Sequence, residues 1–223
     1  MYPDRTVLWP RLSWTGRNFR STWKNTGRCR ELLTPGATVY LVDSHNDKRK
    51  YRYDLVAVEK GDLLVNMDSQ APNQVFGEFL RAGGFLEGVT LVKPEYRYGS
   101  SRMDFYFELG EERHLAEIKG VTLEKNGICR FPDAPTERGA RHLEELAKAV
   151  REGFQAWACF VVQMDGMRWL EPNEKTDPAF SKALREAAKA GVNVRAFCCQ
   201  VYPDSMEIVS ELPVHLCVQE DAL

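Results

Sequence analysis

Seven apolar side chains follow one another in Ala156-Trp157-Ala158-Cys159-Phe160-Val161-Val162. Successive side chains of a strand point to opposite faces, so a run without polar alternation must be covered on both. That demands helices on the two sides of a sheet and selects an α/β architecture with mixed pairing. The run is far short of the roughly 18–20 apolar residues that span a bilayer. Arg5, Arg11, Arg17 and Arg20 come without the apolar segment of a secretory leader, so the sequence reads as cytoplasmic, with no membrane association.

Around the apolar run the pattern is regular. Helices are expected from about Pro72 to Arg81, from Thr136 to about Glu152, and from Asp177-Pro178 to Gly191. Extended segments are expected at Leu91–Tyr98, Met103–Leu109, Leu115–Leu123, Ala156–Gln163 and Val192–Val201, with a tight turn at Lys125-Asn126-Gly127. Thr38–Val42, Tyr53–Val58 and Leu63–Val65 form a separate set of short strands, which a small β-barrel would bury. Domain limits of 1–65 and 66–223 follow. The six cysteines include no C-x-x-C pair and no zinc-ligand rhythm, and read as reduced, mostly core thiols. Cys198 and Cys199 are adjacent on a predicted strand and should face opposite sides.

Charge divides unevenly along the chain. Residues 1–60 carry 12 Lys+Arg against 6 Asp+Glu, a net +6, while the remainder carries −8. The basic part is densest at Lys48-Arg49-Lys50-Tyr51-Arg52-Tyr53, where cations suited to phosphate alternate with rings suited to stacking on bases. A solvated hairpin with inward tyrosines would have the same pattern.

Chemistry concentrates at Asp104, Glu117 and Lys119. Asp104 interrupts an apolar strand, and thirteen positions later comes Ala116-Glu117-Ile118-Lys119-Gly120. Glu117 and Lys119 share a strand face. If the two strands are antiparallel neighbours, the two carboxylates converge and suit Mg²⁺ or Mn²⁺, with Lys119 placed to stabilise charge on a phosphoryl group. An exposed acid–lysine pair on a strand is the plainer alternative.

Asn25-Thr26-Gly27-Arg28, the Lys48-Arg49-Lys50-Tyr51 patch, Tyr98-Gly99 with Ser101-Arg102-Met103-Asp104-Phe105, Glu117-Ile118-Lys119-Gly120-Val121-Thr122-Leu123, and Phe131-Pro132-Asp133-Ala134-Pro135-Thr136-Glu137-Arg138-Gly139 together resemble the sugar fermentation stimulation protein family, SfsA. The resemblance runs from about Asn25 to Leu212. It implies an OB-like N-terminal barrel followed by a PD-(D/E)xK nuclease-like domain, with Asp104, Glu117 and Lys119 as the motif and Met103 in place of its proline. It also implies Glu78 and Glu95 as further metal ligands, Mg²⁺ or Mn²⁺ as cofactor, and DNA, with RNA as a second candidate, as substrate. A homodimer is a further expectation, because duplex cutting often pairs two sites. The competing reading is a non-catalytic DNA-binding regulator of sugar (maltose) metabolism genes. Met1–Trp23 lacks the period-2 order of barrel strands, so the barrel is expected to be incomplete or irregular at its start.

Nucleic-acid contacts are expected at Lys48, Arg49, Lys50, Arg52, Arg28, Arg102, Arg138 and His142. Arg138 and His142 lie four apart on one helix face, fit either to meet phosphate or to pair with Glu145. Asp133 is expected to cap that helix, and His45, His114 and His215 to lie at the surface. Trp157 and Trp169 are expected in the core.

Overall fold

The computed structural model describes residues 21–22, 29, 31–46 and 48–217. In the N-terminal part, β1 (Ser21–Thr22), β2 (Val39–Asp43), β3 (Tyr53–Lys60) and β4 (Leu63–Asn66) make one sheet. β3 is its axis: β2 pairs antiparallel with it, β1 pairs parallel at Tyr53-Asp54, and β4 returns antiparallel through the turn at Gly61. Among the described residues these strands do not close into a barrel; apart from Ser21 and Thr22, the stretch Met1–Trp23, where an irregular start is expected, lies outside the described residues.

A helix, α1 (Ala71–Arg81), follows, with Pro72 in its first turn, where a missing N–H costs nothing. Next come β5 (Val89–Tyr98), β6 (Ser101–Leu109) and β7 (Glu112–Val121), a meander of antiparallel neighbours. The short strands β8 (Glu124–Lys125) and β9 (Ile128–Phe131) are joined by Asn126 and Gly127, both at positive φ as a tight hairpin turn requires. Then follow α2 (Glu137–Arg151), β10 (Gln155–Val162), β11 (Trp169–Pro172), α3 (Pro178–Lys189), β12 (Asn193–Tyr202) and β13 (Ser205–Leu212).

The central sheet has the order β13-β12-β10-β7-β6-β5, with β10 parallel to both β7 and β12. The apolar run therefore lies mid-sheet, and its two faces are covered as its composition requires. Ala156, Ala158, Phe160 and Val162 pack with Leu143 and Leu146 of α2 and Phe180 and Leu184 of α3. Cys159 and Val161 pack with Val75, Phe76 and Leu80 of α1 on the other face. Cys198 and Cys199 divide between the same two layers. All six cysteines are free thiols, five of them buried and Cys217 exposed. No helix is long and apolar enough to cross a membrane among the described residues.

Several expectations are corrected at the level of single residues. Thr136, not Asp133, caps α2 by accepting from Gly139 N at 3.0 Å. Asp177 does cap α3, and its second oxygen accepts from Thr136 N, so one carboxylate secures the starts of both helices. His114 is buried rather than exposed: it stacks on Phe107 and accepts a hydrogen bond from Trp157 Nε1 at 3.1 Å. His215 stacks on Trp169, itself only partly buried and overlaid by Arg168.

Gln163 joins the N-terminal sheet to the central one. Its backbone donates to Val121 O and accepts from Asn66 N, each at 2.9 Å. Its buried amide donates to Asn66 Oδ1 at 2.7 Å and to the carbonyls of Asn66 and Asp68. The space this needs is left by Gly120, where an added Cβ would lie 2.5 Å from Gln163 Oε1 and 2.7 Å from Pro72 Cγ.

Candidate active site

β6 and β7 are antiparallel neighbours, and Phe105↔Ala116 is their registered pair farthest from the connecting turn at Gly110. The next residues along are Asp104 and Glu117, so the register sets them opposite each other. There the strands part, and Asp104 Oδ2 takes the N–H of Ile118 at 2.7 Å, a ladder donor that would otherwise lack a partner. Asp104 Oδ1 accepts from Asn73 Nδ2 at 2.7 Å, which brings the first turns of α1 to the site.

Glu117 is 3% exposed. Lys119 Nζ donates to its Oε1 at 2.6 Å, and the buried ring of His142 on α2 contacts that same oxygen through Nδ1. Arg138 Nε donates to His142 Nε2 at 3.4 Å. A guanidinium can only donate, so Nε2 is the accepting nitrogen and Nδ1 carries the proton onto Glu117. Glu117 Oε2 is buried with no hydrogen-bond partner among the described residues.

The two acids hold their charge differently. Burial, followed by the neighbouring charge of Glu117, pushes the Asp104 carboxyl up to about 6. Burial also raises Glu117, but the His142 hydrogen bond and the Lys119 ammonium outweigh it and leave Glu117 below the usual carboxylate range. A buried carboxylate with one unpartnered oxygen, set across the strand register from a second carboxyl, is a donor set for a hard divalent cation. Among the described residues no three His, Cys, Asp or Glu side chains form a ligand group by themselves. A bound ion would accordingly draw further oxygens from water or substrate.

The other expected site residues divide. Glu95 lies in the same cross-strand row, since Pro94↔Phe105 and Tyr96↔Met103 bracket Glu95 opposite Asp104. Its backbone is at φ 54°, however, and its side chain is exposed and paired with Arg102 at 3.2 Å. Glu78 sits half-buried on α1, while the α1 side chain that reaches Asp104 is Asn73. His142 is an interior partner of Glu117, not a surface contact, and Glu145 pairs instead with Ser100. In the basic patch, Arg49 is engaged by Asp54 and Arg52 by Asp43, while Lys50 lies over Tyr51. Lys48 is exposed. Arg28 lies outside the described residues.

Sequence reasoning missed Asn73, which follows a helix-starting proline and carries no signal of its own. The inward placement of His142 was legible: it stands three residues after Gly139 and four before Leu146, within the buried stripe of α2.

An acid pair and a lysine at the parting of two central strands, on an α/β sheet preceded by a small β sheet, define a two-part mixed α/β protein. The chain matches the family model for the sugar fermentation stimulation protein RE domain over residues 70–205 and that for the SfsA N-terminal OB domain over 20–67. A sugar fermentation stimulation protein homolog of Ruminiclostridium cellulolyticum is 49% identical over 193 residues, 86% of this chain and 85% of the relative. One from Desulfitobacterium hafniense is 50% identical over 184 residues, 82% of this chain and 80% of the relative. The solved structure of Pyrococcus furiosus SfsA in complex with Ca²⁺ superposes with a TM-score of 0.82 at 27% identity, covering 96% of this chain and 98% of that one. The chain belongs to the sugar fermentation stimulation protein family.

Proposed function

We propose that this protein is a divalent-metal-dependent nuclease that hydrolyses phosphodiester bonds in DNA, with RNA as a second candidate substrate. The observation that carries this reading is the unpartnered, buried Oε2 of Glu117 beside Asp104. An orphaned carboxylate oxygen in the interior is costly unless something cationic comes to it. The Ca²⁺ complex of the Pyrococcus furiosus relative supports a divalent cation as that partner.

Glu117 Oε2 and the Asp104 carboxylate would hold Mg²⁺ or Mn²⁺. When bound, such an ion supplies Lewis acidity toward a phosphoryl oxygen and lowers the pKa of a bound water. The chain's own groups perform the rest. His142 and Lys119 anchor Oε1 of Glu117 and so fix the direction of Oε2. Asn73 and Ile118 N hold Asp104 across from it. Lys119, whose ammonium already lies within the site, is placed to donate to a phosphoryl oxygen where negative charge grows, the role in which a positioned donor contributes most. The test is cleavage of labelled DNA and RNA with Mg²⁺, Mn²⁺ or chelator. Metal-dependent cutting that disappears in Lys119→Ala is expected; binding without cutting under every metal would favour the regulator reading.

A further inference from the structure

We propose that the tip of the β5–β6 hairpin is a phosphate-binding arm, on which Arg97 and Arg102 together hold a backbone phosphate of the nucleic acid. The inference rests on the nuclease reading and adds a second contact of the same substrate.

The register pairs Arg97 directly with Arg102. Like charges opposite one another weaken a strand pair, so two arginines here work against the hairpin unless an anion joins them. Glu95 meets Arg102 at 3.2 Å, but both side chains are about two-thirds exposed, and such a pair contributes little. Arg97 is exposed and has no carboxylate partner among the described residues.

A break in the strand pattern decides where these cations point. Simple alternation would set Tyr96 and Tyr106 on opposite faces, yet their rings stack at 4.5 Å. Met103 joins Tyr106 in the same buried layer, again against alternation. The break falls at Glu95, at φ 54°, opposite Asp104. Past it, Tyr98 Oη donates to Glu152 and Ser100 Oγ to Glu145, so this side of the tip lies on α2. Arg97 alternates with Tyr96 and Tyr98, and its partner Arg102 with Ser101 and Met103, so both arginines project from the other face, the one on which α1 packs.

Arg102 precedes Asp104 by two residues, ~6.6 Å at ~3.3 Å each. A stacked strand advances ~3.4 Å per nucleotide, so the arm stands about two nucleotides from the acid pair. Guanidinium groups suit phosphate because their donors form a planar fork.

The test is equilibrium binding of the full chain to a fluorescent single-stranded DNA and its duplex, in chelator, from ~50 to ~300 mM KCl. For Arg97→Ala/Arg102→Ala, loss of one phosphate contact lowers the slope of log K against log salt by about 0.7 on the single strand and about 0.9 on the duplex, some five- to eightfold in affinity near ~0.1 M. The thermal midpoint should hold or rise, and Lys189→Ala on α3 should bind as wild type. Wild-type slopes in the double variant would overturn the arm while leaving the nuclease reading intact. No salt-dependent binding by the wild-type chain would likewise overturn the arm, and the nuclease reading falls separately if the chain cuts no nucleic acid with Mg²⁺ or Mn²⁺.

Discussion

His142 touches Glu117 at one oxygen only, and the other oxygen of that carboxylate is left buried and unpartnered. Lys119 stands on the same oxygen as the imidazole, so both interior donors converge on Oε1. The result is an acid clamped on one side and open on the other.

Removing the clamp should register as lost stability. His142→Ala leaves a buried carboxylate with one hydrogen bond fewer, at a cost of about 2–3 kcal/mol. His142→Asn, whose amide can still donate toward Glu117, should recover part of it. Urea unfolding of the three proteins checks this. An alanine variant as stable as wild type would show that the contact contributes nothing.

Asp104 should give the metal-free protein a characteristic pH dependence. Its carboxyl titrates at about 6 when folded, against 3.8 ordinarily, because burial and then the Glu117 charge disfavour ionisation. The folded chain thus binds this proton more tightly than the unfolded chain, and the stability it contributes is fully present below about pH 4 and lost as pH rises through about 6. The slope reaches at most about 1.4 kcal/mol per pH unit. Asp104→Asn should flatten it, as followed by denaturant unfolding in chelator. Parallel profiles for the two proteins across that range would contradict the assignment.

Gly120→Ala should be disruptive despite its small size. The new methyl would meet Gln163 Oε1 at 2.5 Å and Pro72 Cγ at 2.7 Å, pressing the inter-sheet junction against the start of α1, one residue from Asn73. Overpacking of this kind costs about 1–3 kcal/mol. A drop in thermal midpoint is the expected result, and an unchanged midpoint would mean the junction yields freely.

What the sequence revealed depended on how local the signal was. The β10 run announced its own burial, and the Glu117-Ile118-Lys119 spacing announced a shared face, because both follow from strand geometry alone. That Asp104 stands across from Glu117 needed only the pairing of adjacent strands, and the register agrees with it. β13 was not read: its alternation at Met206-Glu207-Ile208 lapses into exposed Val209-Ser210-Glu211 because it is an edge strand. The basic patch looked freer than it is because Asp43 and Asp54, which engage Arg52 and Arg49, are brought in by pairing of β2 with β3. His114 looked like a surface residue because nothing local shows that Trp157 and Phe107 close over it.

The central claim is metal-dependent cleavage at the Asp104–Glu117–Lys119 site, and one assay addresses it most directly. Labelled single- and double-stranded DNA and RNA are incubated with wild type, Asp104→Asn and Lys119→Ala in Mg²⁺, Mn²⁺ or chelator, with folding checked by circular dichroism. The account predicts cutting by wild type with metal, none in chelator, and a loss of about 10²–10³-fold or more in each folded variant. Variants that cut as fast as wild type, or wild-type cutting that survives chelator, would contradict it.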